Sequence, residues 1–231
     1  MVHIAVPIKV KGLEQAVHEI QEAESKKPDL LELRLDYMPA LDEKKLDILM
    51  ECCDLPVIAT IRHKSEAGPD KKAGYKGREE KRAELYMQAV KRGAAYVDIE
   101  ALKYEGIIGY LLDKKGKANK RETKVIASYH NFEKTPENLV HIYKAFRHNL
   151  HAADVFKFAT QANSEEDYKR IVELIEQANR DNVPAIGIGM GEPGEKTRLH
   201  PGNYITYACL EKGKGTAKGQ YTVEEMRRLI G

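Results

Sequence analysis

Ala153-Asp-Val-Phe-Lys-Phe-Ala-Thr160 is the stretch on which the fold of this chain is decided. It reads as one short buried strand, with a polar helix pattern before it and a Ser/Asn-containing turn after it. Side chains alternate faces along a strand, so Val155, Lys157 and Ala159 share one side while Phe156 and Phe158 share the other. The phenylalanine side suits packing against helices, which leaves the lysine among small or branched neighbours. An ammonium at a partly apolar strand end is expected to release its proton more readily than one in water. That is the setting for an amine that forms a Schiff base with a carbonyl. Taken alone, the plainer reading is a lysine whose stem packs and whose head snorkels to water or pairs with a carboxylate.

Outward from this strand, an alternation of strand and helix patterns fills the chain. Further strands are predicted at Val2–Ile8, Asp29–Leu35, Pro56–Ile61, Ala95–Ile99, Lys124–Ser128, Ala185–Met190 and about Tyr204–Cys209. Helices are predicted from Gly12, from a cap at Asp42, over Arg78–Arg92 with Gly93 closing it, and over Leu102 to about Leu112. Thr135-Pro136 has the form of a cap followed by proline at the first helical position. Ser164 caps the next helix, and Thr222 with Glu225 forms a capping box for the last. Eight strands spaced roughly 25–30 residues apart make the layout of a single-domain α/β (β/α)8 barrel, residues 1–231. A doubly wound sheet would want a glycine-rich turn after the first strand, where this chain has K-V-K-G-L.

With 38 basic against 36 acidic residues the net charge is +2, and no whole-protein field favours nucleic acid or a membrane surface. No run reaches the roughly 20 apolar residues of a membrane span. The start, M-V-H-I-A-V-P-I, enters a strand directly, so no leader is expected. Cys52, Cys53 and Cys209 have no metal-ligand spacing, and a cytoplasmic setting is the default.

In a barrel the functional face lies at the C-terminal strand ends. There the chain leaves Glu32, Arg34 and Asp36, then Arg62 with Glu66 beyond it, then Asp98 and Glu100. Ser128 and His130 follow, then Lys157, Met190 and, in the next segment, Arg198. Glu32, Arg34, Asp98 and Lys157 sit in or just after apolar runs, where an unpaired charge costs several kcal/mol, so they are expected to pair. A structural network accounts for those four as well as a catalytic one does. It accounts less well for a histidine and an exposed arginine at the same end. A ketone near Lys157 with a proton carrier at His130 would support enamine chemistry. No metal is required, since His130 has no partner at ligand spacing.

Two motifs carry less than they suggest. Gly189-Met-Gly191-Glu-Pro-Gly194 has the G-x-G-x-x-G form, but Pro201-Gly202 come too soon for a long following helix. Residues 62–82 hold eight Lys/Arg against four Asp/Glu, interspersed, with Tyr75 as the single stacking ring, so a solvated loop is the simpler reading.

Taken together, the pieces resemble the type I 3-dehydroquinate dehydratase family. They are E-L-R-L-D at 32–36, T-I-R at 60–62 with Glu66, D-I-E at 98–100, S-Y-H-N-F at 128–132, D-V-F-K-F-A-T at 154–160, G-M-G at 189–191 and K-G-Q at 218–220. The resemblance implies a (β/α)8 lyase, a homodimer, that forms 3-dehydroshikimate without a cofactor. It implies Lys157 as the Schiff-base lysine, His130 as general acid and base, and Glu66 as the carboxylate that orients and charges His130. Arg198 would grip the substrate carboxylate, with Gln220 and Thr216 on a mobile lid around 210–220. Glu32, Arg34 and Arg62 would hold the ring hydroxyls, Asp98, Glu100 and Ser128 would support them, and Met190 and Tyr207 would be walls. Where the family commonly has Ser-Ala-Pro-Gly-Gln, this chain has Thr216-Ala-Lys218-Gly-Gln220, which implies a looser and more basic lid. A class I aldolase on the same barrel is the alternative, and a barrel that binds without catalysing is a third.

Overall fold

Eight parallel strands carry the chain around one sheet in the order β7-β6-β5-β4-β3-β2-β1-β8. They are β1 His3–Lys9, β2 Leu30–Arg34, β3 Val57–Thr60, β4 Tyr96–Glu100, β5 Lys124–Asn131, β6 Val155–Gln161, β7 Ala185–Met190 and β8 Ile205–Tyr207. The Tyr204 amide donates to the Ala185 carbonyl at 2.8 Å, which brings the β8 end of the sheet to β7. The Asn203 side chain helps there, accepting from the Gly187 amide at 2.8 Å. The result is the expected (β/α)8 barrel. The computed structural model describes residues 2–70, 72–101, 107, 123–150, 153–213, 215 and 219–231. The helix predicted over Leu102–Leu112 lies outside these, Ile107 excepted.

Period-2 alternation sorts the core into two shells. Ala5, Leu30, Ile58, Ile126, Val155, Ile186 and Ile205 fill the barrel interior. Phe156 and Phe158 face outward instead and meet Tyr143 and Phe146 edge-on or stacked. Fully burying each such ring stabilises the fold by about 2–3 kcal/mol. The helices that cover the sheet among the described residues are α1 Leu13–Ser25, α2 Glu43–Glu51, α3 Glu79–Lys91, α4 Leu139–Asn149, α5 Glu165–Arg180 and α6 Val223–Ile230. Asp42 and Ser164 cap α2 and α5, and Thr222 with Glu225 forms the capping box of α6, as the sequence predicted.

Several boundaries shift from expectation, most by a residue or two, and four of the shifts bear on the site or its surroundings. The helix predicted from Thr135 begins at Leu139, because the Thr135 hydroxyl is taken by the Gln161 carbonyl and Thr160 Oγ1, both at 2.9 Å. Strand β5 runs on past Ser128 to Asn131, which puts His130 within the ladder, opposite Ala159. Strand β2 ends at Arg34, so Asp36 sits on a 3-10 turn rather than on the strand face. Strand β8 stops at Tyr207, since the Cys209 amide turns away to the Tyr221 carbonyl.

Gly189 and Gly194 explain the glycine motif by packing. A Cβ on Gly189 would stand 2.6 Å from the Gly194 Cα, so two backbones touch where any side chain would collide. A 3-10 segment, Glu192–Leu199, follows in place of a nucleotide-site helix.

Candidate active site

Each charged strand end reaches its neighbour across the barrel mouth. Asp98 on β4 is the hub. Its Oδ2 accepts from Lys157 Nζ at 2.8 Å, and its Oδ1 from Arg62 Nη2 at 2.9 Å and Ser128 Oγ at 2.7 Å. Ser128 Oγ in turn accepts from Arg62 Nη1 at 2.7 Å. Glu100, two residues on and so on the same face, receives Arg82 Nη1 at 2.8 Å and the His63 amide at 2.8 Å. Glu32 accepts from Thr60 Oγ1 at 2.9 Å and stands 3.6 Å from Lys157 Nζ. Each charge in this network therefore has an opposite neighbour, the condition under which buried charges are tolerated.

Lys157 Nζ also lies 4.3 Å from the centroid of the Tyr207 ring. Burial alone would drive the ammonium toward its neutral form. Asp98, Tyr207 and Glu32 outweigh burial and raise its pKa. The expectation of an easily deprotonated lysine is thus reversed in this resting state. His130 shifts the other way. Burial, with the Arg62 and Lys157 cations beside it, holds the imidazole well below its ordinary pKa, and so neutral at pH 7.

A cavity of about 650 Å³ opens at this end of the barrel. Lys157, His130, Glu66, Glu32, Arg34 and Arg62 line it. So do Arg198, Gln220, Met190 and Tyr207. Asp98, Glu100 and Ser128 are fully buried behind that lining, where they brace it. Thr216 lies outside the described residues. Arg198, expected to be exposed, is 1% exposed, because the 3-10 segment Glu192–Leu199 tucks it inward. Burial pulls its pKa down to about 10, against Glu195, Cys209 and Tyr221, so it stays a cation at neutral pH. An amine, a neutral imidazole and a buried guanidinium thus face one pocket sized for a small ligand.

Comparison with known proteins settles the lineage. A sequence model of the Type I 3-dehydroquinase family matches residues 4–231. The chain is 36% identical over 230 residues to the 3-dehydroquinate dehydratase of Methanococcus maripaludis strain C5, covering 98% of each chain. The chain belongs to the type I 3-dehydroquinase family. Among solved structures, the 3-dehydroquinate dehydratase of Geobacillus kaustophilus superimposes with a TM-score of 0.87 at 25% identity, covering 100% of this chain and 90% of that one. That of Aquifex aeolicus gives 0.77 at 31% identity, covering 99% and 97%.

Glu66 stands on a 3-10 turn, Lys64–Glu66, at the cavity wall. The expected link from Glu66 to the imidazole is not made at Nδ1, which is buried without a hydrogen bond. Arg62, Lys157, Asp98 and Arg34 are the charges that bear most on His130, and on balance with burial they neutralise rather than charge it. Arg34 gives Nε and Nη2 to the two oxygens of Asp36, each at 2.9 Å. Sequence reasoning missed several lining residues, among them Lys9, Tyr37, Asp70 and Phe132. The Tyr37 hydroxyl donates to Asp70 at 3.0 Å, with Lys9 Nζ 3.7 Å from the same carboxylate. Lys9 closing β1 was the one available signal, by the same strand-end rule.

Proposed function

We propose that the chain is a hydro-lyase that converts 3-dehydroquinate to 3-dehydroshikimate and water through a Schiff base on Lys157. The observation that carries this is Lys157 and His130 lining one cavity with Arg198, on adjacent strands where Ser128 pairs with Lys157 and His130 with Ala159. The names of the relatives, 3-dehydroquinate dehydratases over nearly the whole chain, support the same reading.

The neutral His130 takes a proton from the ammonium, and the amine attacks the C3 ketone. Loss of water from the carbinolamine gives an iminium, which keeps a positive charge at the nitrogen that Asp98 faces. The pair that holds back the free amine thus supports the cation formed from it. The iminium draws electrons from the adjacent C2–H bond as His130 removes that proton. The enamine then expels the C1 hydroxyl, protonated by the imidazolium, and water hydrolyses the conjugated imine to product and free lysine. Arg198 binds the substrate carboxylate with its planar fork. The lid expected around 210–220, of which residues 214 and 216–218 lie outside the described residues, would close over the ligand and limit water, with Gln220 on the cavity wall. The same reading includes association into a homodimer, which light scattering measures.

Incubation with 3-dehydroquinate should generate conjugated-enone absorbance, and borohydride during turnover should add ligand mass at Lys157. Lys157→Ala should abolish the adduct, and His130→Ala should form it slowly with little product. A folded protein giving neither absorbance nor adduct refutes the assignment. An adduct with a cleaved carbon skeleton would make the enzyme an aldolase.

A further inference from the structure

Phe132 follows His130 by two residues, just beyond the end of β5. Its ring lies nearly parallel to the imidazole, with 14° between planes and 6.0 Å between centroids. It lines the cavity yet is 38% exposed, a large apolar side chain kept at the rim. The ring also meets Gly68, whose φ is +80°. A Cβ on Gly68 would stand 2.7 Å from Phe132 Cε1. Glycine at this position therefore lets the loop after β3, which carries Glu66, rest its backbone against the ring. A proton-transferring imidazole is ordinarily oriented by a hydrogen bond at its second nitrogen. Here His130 Nδ1 is buried and has none, and the near-parallel Phe132 ring is an aromatic neighbour placed to restrict its plane.

We propose that Phe132, seated between His130 and Gly68, is a positioning residue for the imidazole, and that the loop reaches His130 through it. This rests on the reading of His130 as general acid and base given above. The charged groups facing the imidazole are Arg62 from the end of β3, Lys157 from β6, Asp98 from β4 and Arg34 from β2, with Glu66 on the same cavity wall. All of them remain when Phe132 is changed. Loss of the ring alters the orientation of the imidazole and its shielding from water, and leaves its charge partners in place.

The test is the pH dependence of kcat and KM for the wild type, Phe132→Leu, Gly68→Ala and the double variant, with borohydride trapping at Lys157 as a second readout. Phe132 is partly exposed, so Phe132→Leu should fold, which thermal unfolding checks. Phe132→Leu should lower kcat about tenfold or more with little change in KM. It should still trap on Lys157. Its acid limb should move to higher pH, because water reaching the imidazole lifts its pKa and a base is lost below its pKa. Gly68→Ala should act in the same direction through the ring. The double variant should lose less than the product of the single effects, since leucine vacates the space that the new Cβ needs. Strictly multiplicative effects would overturn the coupling to the loop. A raised KM at constant kcat would make Phe132 a substrate wall and overturn its positioning role. An unchanged Phe132→Leu beside an active wild type defeats this inference alone. A wild type that neither dehydrates nor traps defeats the dehydratase reading, and this inference with it.

Discussion

The Lys157 ammonium and the Asp98 carboxylate stand 2.8 Å apart, and both are nearly or fully buried, at 6% and 0% exposure. Asp98 simultaneously holds Arg62 on its other oxygen. The Lys157 amine therefore rests as one corner of a charge network. The first step proposed for it, loss of a proton, works against its main structural contact.

Replacing Asp98 tests that opposition. Asp98→Asn removes the strongest influence raising the Lys157 pKa, so the amine should titrate at lower pH than in the wild type. It also leaves Arg62 and Lys157 without their shared carboxylate, which should destabilise the fold by about 3–5 kcal/mol. Carbon-13 methylation of the lysine with NMR titration reads the first effect, and urea unfolding reads the second. A Lys157 pKa that rises in this variant would contradict the pairing described.

His130 predicts a pH dependence of stability. Its folded pKa lies below the ordinary value of about 6.5. As pH falls through that value the unfolded chain binds a proton that the folded chain refuses, so stability declines on acidification. The slope approaches about 1.4 kcal/mol per pH unit at most. His130→Gln should flatten the dependence below about pH 6.5. Urea midpoints measured at several pH values decide the matter, and a slope unchanged by the substitution would mean that the imidazole titrates alike in the folded and unfolded chains.

The barrel and much of the cavity lining were legible because strand alternation and strand-end charge are local signals. Val155 and Ala159 go inward while Phe156 and Phe158 go outward, as the period of two requires. What stayed hidden depends on partners distant in sequence. The protonation of Lys157 is set by Asp98, 59 residues away, so its own apolar neighbours pointed in the wrong direction. Thr135 looked like a helix cap, and only the fold reveals that Gln161 takes its hydroxyl. Arg82 showed no strand-end signal at all, since it comes from helix α3 and reaches Glu100 from the side.

That arginine gives a prediction about stability without chemistry. Arg82 is fully buried, donating to Glu100 and to the Ile61 carbonyl at 2.9 Å, and it does not line the cavity. Arg82→Ala strips buried groups of their partner and should cost about 3–5 kcal/mol. The urea midpoint should fall with its m-value unchanged. KM of the protein that remains folded should stay near the wild-type value. A large rise in KM with normal stability would place Arg82 in ligand binding instead.

Arg198 allows a test of recognition separate from the covalent step. Burial pulls its pKa down to about 10, so the charge persists at neutral pH, and what a lysine there would lose is the planar fork. Arg198→Lys should forfeit about 2 kcal/mol of carboxylate binding, or about 30-fold in KM. Trapping on Lys157 at saturating substrate should persist, because the amine and imidazole are untouched. Steady-state kinetics separate the outcomes. If kcat fell and KM held, the guanidinium would be acting on the transition state alone, and its assignment to carboxylate binding would fail.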